Sequence, residues 1–253
     1  MTNLEARKIT KRFERGSHQL RALGGISLKV ESGDFVCLVG PSGCGKSTFL
    51  RIVAGIDSPD EGCLLIDGRP VTAETDGPSR IIVFQEGALF PWLTVRNNVE
   101  FGLKIRGIPR AERAEMSELY LDMMQLTKFA DSYIHELSTG MKQRVAIARA
   151  LVMDPDVLLM DEPFAALDPF TRDALVVETQ LMWTRTKKTI LFVTHSVPEA
   201  VALGTKIIIF SGRPSVVKTV VDNNDVSISS NHTEAAGKKH KLERKIRQIM
   251  REK

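Results

Sequence analysis

Two kinds of hydrophobic pattern divide the chain. In the first, apolar and polar residues alternate. Ile26, Leu28 and Val30 flank Ser27 and Lys29, and Leu64 and Ile66 precede an Asp67-Gly68 turn. A period of two predicts half-exposed antiparallel strands. In the second, whole runs are apolar: 35–39, 81–84, 157–160, 190–193 and 207–210. Such runs predict strands buried on both faces, as in a parallel sheet covered by helices. Helical signals lie between them. Met116, Leu119, Met123 and Leu126 recur at spacings of three and four, which predicts a helix with that stripe inward. Asp168-Pro169 has the form of an N-cap followed by a first-turn proline, and Ser196-Val-Pro-Glu199 that of a capping box. Strands that alternate with helices predict an α/β fold.

The chain has 253 residues, 43% of them hydrophobic, enough for one large domain or for one domain with a smaller lobe inserted. No apolar run approaches the roughly 18–20 residues of a membrane span. Met1 to Lys8 hold no signal-peptide core, so a cytoplasmic location is expected. Cys37, Cys44 and Cys63 have no metal-site spacing and suit a reducing compartment. The net charge of +4 is unevenly placed. Residues 238–253 carry eight Lys or Arg against two Glu, which leaves the rest of the chain at −2. The body therefore has no broad cationic face for nucleic acid. A polar linker is expected over 221–237 and a basic amphipathic helix over 238–253. Leu242, Ile246 and Ile249 share one face of that helix. That stripe either packs on the body or meets a membrane surface or a partner.

The chemistry is most legible at Gly40-Pro41-Ser42-Gly43-Cys44-Gly45-Lys46-Ser47-Thr48. These residues match the phosphate-binding loop G-x-x-x-x-G-K-[ST], between a buried strand run and a helical stretch as that motif requires. The glycines let backbone N–H groups wrap a phosphate. The helix N-terminus adds positive potential. Lys46 supplies a cation for the β- and γ-phosphates, Ser47 a hydroxyl for Mg²⁺, and Thr48 a further oxygen contact to phosphate. The run 157–160 then ends in Asp161-Glu162. Asp161 suits the Mg²⁺ shell and Glu162 suits the water that attacks phosphorus. A GTPase would not need this adjacent glutamate, so the pair points to ATP hydrolysis.

Leu137-Ser138-Thr139-Gly140-Met141-Lys142-Gln143-Arg144 resembles the signature motif of ABC ATPases. With it, residues 4 to 220 resemble the nucleotide-binding subunit of an ABC importer. The resemblance implies a P-loop NTPase with a RecA-like core, an N-terminal antiparallel β subdomain and an inserted helical lobe. The domain would span 1–220 and the lobe about 88–150. The resemblance carries roles onto matching positions. Gln85 falls at the Q-loop glutamine, which senses Mg²⁺ and the attacking water. Asp168 falls in the D-loop and is also a plain helix cap. His195 falls at the switch histidine on the γ-phosphate. Phe13 falls at the aromatic residue that stacks on adenine, with core packing as its competing role. Ser138 and Gly140 of one subunit would face the ATP held by another. The family usually has two glycines after the signature serine; Thr139 stands at the first, adding a β-branched side chain where backbone must come close.

The segment 86–94 and Phe210-Ser-Gly-Arg-Pro214 resemble subunits that serve nitrate, sulfonate and taurine importers. A groove beside Gln85, lined in part by Leu89, Phe90 and Trp92, would receive a helix of the permease. The resemblance thus implies an ATPase using ATP and Mg²⁺, a second ATPase subunit, an integral membrane permease and a solute-binding protein. Its place would be peripheral, on the cytoplasmic face of the membrane. Two alternatives share the motifs: an ABC ATPase of an exporter or lipid-transfer complex, and a soluble ABC protein acting on nucleic acid or the ribosome.

Overall fold

A computed structural model describes residues 2–15, 18–71, 79–85, 88–223 and 232–252. The strands in chain order are β1 (Leu4–Arg15), β2 (His18–Val30), β3 (Phe35–Val39), β4 (Glu61–Ile66), β5 (Arg69–Pro70), β6 (Arg80–Val83), β7 (Val157–Asp161), β8 (Thr189–Val193), β9 (Lys206–Phe210) and β10 (Val217–Asp222). The helices are α1 (Lys46–Ala54), α2 (Val95–Ile105), α3 (Arg110–Met123), α4 (Thr139–Leu151), α5 (Pro169–Thr186), α6 (Val197–Leu203) and α7 (His232–Arg251).

The two hydrophobic patterns become two sheets. The alternating strands form an antiparallel sheet in the order β2-β1-β4-β5, and Asp67-Gly68 turns β4 into β5. The apolar runs form a sheet in the order β10-β9-β3-β8-β7-β6, parallel except for β10. Each central strand feeds two cores. Phe35, Cys37, Leu158, Met160, Ile190 and Phe192 face the core built with α4, α5 and α6. Val36, Leu38, Val157, Leu159, Leu191 and Val193 face α1 and the antiparallel sheet. The apolar runs thus conceal a period of two, because both faces are dry.

Several expectations are corrected. Strand β6 is an edge, so Ile81 and Ile82 are only half-buried, and Phe84 lies beyond it. Leu119 is 60% exposed, and Leu126 is buried but past the end of α3. The fully buried positions of α3 are Ser117 and Leu121, a polar residue that the apolar pattern overlooks. Ser117 is accommodated because its hydroxyl, 3.1 Å from Glu100 Oε1 and 3.0 Å from the Ala114 carbonyl, shares its one proton between them. At α6, Ser196 Oγ accepts from the Glu199 N–H at 3.4 Å, as in a capping box. The Glu199 carboxylate, however, accepts from the Thr194 hydroxyl at 2.6 Å, which in turn accepts from the Ser196 N–H at 2.9 Å.

The tail helix α7 begins at His232, so residues 232–237, expected as linker, are helical. Residues 221 and 222 end β10, and 224–231 lie outside the described residues. Its apolar stripe packs on the body beside α6 and β9: Ile246 is fully buried, and Leu242, Ile249 and Met250 are partly so. Lys218 donates to the last-turn carbonyl of Ile249 at 3.1 Å, a favourable charge at a helix C-terminus. Among the described residues no helix is long and apolar enough to cross a membrane.

Candidate active site

The parallel sheet sets the site by its register. Strands β3, β8 and β7 lie side by side, and their C-terminal ends carry the phosphate loop, His195 and the Asp161-Glu162 pair. Gly40 leaves β3 where a Cβ would sit 2.9 Å from the Phe210 carbonyl oxygen, so only glycine fits. Gly45 caps α1 with φ +119°, a left-handed conformation, and no side chain covers the helix start. The first-turn N–H groups are thereby left for a ligand. Lys46 is 4% exposed, and its ammonium donates to the Gly40 and Pro41 carbonyls at 3.0 and 3.1 Å. Cys44 is buried beneath the loop, while Pro41, Ser42 and Gly43 are exposed.

Ser47 Oγ donates to Asp161 Oδ1 at 2.8 Å, joining α1 to β7. Burial pushes the Asp161 carboxyl above its usual range; the Ser47 hydrogen bond opposes this and the Glu162 charge adds to it. Glu162 has φ +46° and donates its N–H to the Val193 carbonyl at 3.0 Å, which pins the start of the turn after β7 to the end of β8. Its Oε2 lies 3.0 Å from Nδ1 of the exposed His195. Arg172 donates to the carbonyls of Phe164 and Leu167 at 3.3 and 2.7 Å and lies 3.7 Å from Glu199 Oε1. One ionic cluster therefore ties the turn after β7 to the His195 turn. Burial pushes the Glu199 carboxyl up despite the Thr194 hydroxyl and Arg172.

Phe13 is exposed, paired across the strands with Leu20. Both line a cavity of about 160 Å³ that also reaches Lys46, Ser47, Thr48 and Glu162. Phe13 is therefore not a core residue. Gln85 is exposed in the turn after β6 and does not line this cavity. Asp168 caps α5 through a 3.0 Å bond from the Thr171 N–H; the Thr171 hydroxyl first, and then that N–H, hold its carboxyl low. Ser138 caps α4 at 3.3 Å from the Met141 N–H. Thr139 is exposed, and Gly140 is buried against α5, where a Cβ would fall 2.4 Å from Thr171 Cγ2. The signature segment thus sits beside the start of α5 and does not line the cavity. Among the described residues no group of three His, Cys, Asp or Glu could hold a metal ion.

Two residues escaped the sequence reading. Arg213 lines the cavity; it lies within a motif noted only for its resemblance. Asn98 is fully buried and bonds the Phe90, Leu93 and Thr94 carbonyls at 3.0–3.2 Å, which fixes the segment carrying Trp92. Trp92 itself is 69% exposed, and Phe90 packs on Phe101 with ring centres 4.3 Å apart and the planes tilted by 41°.

Comparison with known proteins agrees with this geometry. The family model for the ABC transporter matches residues 23–165, more than half of the chain. The chain belongs to the ABC transporter family. As a member it binds ATP and couples its hydrolysis to transport. It is 46% identical over 216 residues to a nitrate import ATP-binding protein of Synechocystis, covering 85% of this chain and 80% of that one. It is 44% identical over 218 residues to a taurine import ATP-binding protein of Roseobacter denitrificans, again covering 85% and 80%. A dimeric ATP-binding cassette solved with ADP and phosphate superposes with a TM-score of 0.75 at 33% identity, over 87% of this chain and 98% of that one.

Proposed function

We propose that the chain is the ATP-hydrolysing subunit of an importer for a small anion of the nitrate, taurine or sulfonate kind. It works peripherally on the cytoplasmic face of the membrane, against an integral permease and with a solute-binding protein in the same system. The names of its relatives support this reading. The observation that carries it is the meeting of three strand ends: Ser47 on Asp161 at 2.8 Å and Glu162 on His195 at 3.0 Å, beside the Lys46 loop. In this reading residues 1–220 are the ATPase domain and 88–150 its helical lobe.

Phe13 and Leu20 take the adenine at the apolar end of the cavity. The loop N–H groups and Lys46 take the phosphates. Mg²⁺ suits Ser47 and Asp161, which offer hard oxygen donors with room for phosphate and water; when bound it neutralises phosphate charge. Glu162 orients and deprotonates the attacking water. His195 holds that carboxylate through Nδ1 and leaves Nε2 for the γ-phosphate. Positioning and charge neutralisation carry most of the catalysis. The cavity of about 160 Å³ is far below the roughly 300–1,000 Å³ of an enclosing ligand site. This surface therefore receives one side of the nucleotide. A second copy, head to tail, closes the other with Ser138, Gly140 and the Asp168 loop. Gln85 and the Phe90–Trp92 segment pass closure to the permease.

Deleting the gene in its own organism should abolish uptake of nitrate, taurine or an alkanesulfonate. Complementation should succeed with wild type and fail with Lys46→Ala. Unaltered uptake of all three would overturn the anion assignment.

A further inference from the structure

We propose that Arg213 is a second phosphate-binding cation of the nucleotide site, acting beside Lys46. The proposal rests on the reading of this cavity as the ATP site. Arg213 lies in the loop between β9 and β10, and that loop is fastened on both sides. The Ser211 N–H donates to the Val216 carbonyl and the Val216 N–H to the Ser211 hydroxyl, each at 2.9 Å. The fully buried Ser215 exchanges backbone bonds with β2, to Ala22 at 3.0 Å and from Gly24 at 2.7 Å. Ala22 also lines the cavity. The chain therefore presents Arg213 to the cavity from a fixed base.

The guanidinium is oriented as well as placed. Its Nε donates to the Gly43 carbonyl of the phosphate loop. A Cβ on Gly43 would lie 2.9 Å from Nη2, so the guanidinium packs directly against the loop backbone at this glycine. Among the described residues no carboxylate pairs with Arg213, and the Gly43 carbonyl on Nε is its one protein hydrogen-bond partner. An arginine held by one N–H, with its remaining fork open at the edge of a phosphate loop, has the chemistry of a polyphosphate ligand. Lys46 also donates to two carbonyls of its own loop, so a second cation strengthens the site for a ligand of several negative charges.

Isothermal titration of the full chain with ADP tests this, with inorganic tripolyphosphate as competitor. Arg213→Ala should raise the ADP Kd roughly tenfold, as for the loss of a charge-assisted hydrogen bond. Tripolyphosphate should weaken as a competitor in the same proportion. Arg213→Lys should recover part of the loss because it keeps the charge without the fork. Arg213→Gln, which can still bond Gly43, should bind as weakly as Arg213→Ala. Wild-type affinity in Arg213→Ala or in Arg213→Gln, with binding lost in Lys46→Ala, would overturn the proposal. A loss for ADP with none for tripolyphosphate would also overturn it, since the contact would be to the nucleoside. Failure of the cavity reading shows separately, as an ADP affinity that Lys46→Ala leaves unchanged.

Discussion

Replacing Glu162 by Gln should stop hydrolysis and leave nucleotide binding intact. The change keeps size and shape. The left-handed turn at Glu162 is held by its own N–H on the Val193 carbonyl at 3.0 Å, a bond the side chain does not make. The amide can keep a contact with His195 Nδ1, now 3.0 Å from Oε2, through the other imidazole tautomer. His195 is exposed and its partner only partly buried, so losing the charge should cost about 0–1 kcal/mol of stability. What disappears is basicity towards the attacking water. Positioned general bases contribute about 10²–10⁴-fold, or about 2.7–5.5 kcal/mol of barrier. Lys46, Ser47 and the loop N–H groups are untouched, so ATP affinity should hold or rise as a negative charge leaves the γ-phosphate end. Phosphate release under single turnover, beside an ATP titration and size-exclusion chromatography with ATP and Mg²⁺, reads all three quantities. An ATP-bound dimer should accumulate. Hydrolysis at the wild-type rate would refute the assignment of Glu162. Lost ATP binding would show that Glu162 builds the site and does not act in it.

Gly140→Ala should destabilise by about 1–3 kcal/mol, because its Cβ would meet Thr171 Cγ2 at 2.4 Å. Thr171→Ser in the same chain removes that methyl and should restore most of the loss; no rescue in denaturant melts would refute the contact. Ile246→Ala empties a fully buried site and should cost the attachment of α7 about 2–5 kcal/mol. Proteolysis of the tail should then accelerate well before the body unfolds, and an unchanged cleavage rate would count against the packing. For Glu199, burial raises the folded pKa above the unfolded value, so the folded state binds the proton more tightly. Wild type should therefore lose stability relative to Glu199→Gln as pH rises from about 4.5 through that raised value, with a level difference below it. The opposite slope would refute the buried charge as the cause.

The sequence was most legible where one residue type has few substitutes. The loop 40–48 and the pair Asp161-Glu162 stood out because phosphate and metal chemistry permit few other residues there. The buried runs located five strands of the parallel sheet, but edge and centre look alike in an apolar run, so β6 was expected to be more buried than it is. Strand β10 went unread because its polar and apolar residues mix without a clear face. The buried Ser117 and Asn98 were missed because a polar residue whose hydrogen bonds are met by backbone carbonyls or a carboxylate leaves no mark in the apolar pattern. Arg213 was missed because its partner, the Gly43 carbonyl, lies far along the chain.

The twin-faced apolar strands have a consequence for how this site can change. In a sheet with one wet face, a slip of one residue exposes a whole row of hydrophobic side chains and is punished at once. Strand β7 would give no such warning. Removing one residue from within it leaves an apolar run that both cores still accept. Yet the deletion would draw Asp161 and Glu162 back by about 3.3 Å and turn each to the opposite side. Glu162 would then stand where Asp161 met Ser47, and Pro163 where Glu162 met His195, so His195 would lose its partner while the sheet still assembled. The spacing of the groups assigned to catalysis is thus a ruler whose marks are counted in residues. Folding reads that ruler only coarsely, whereas hydrolysis reads it to a single residue.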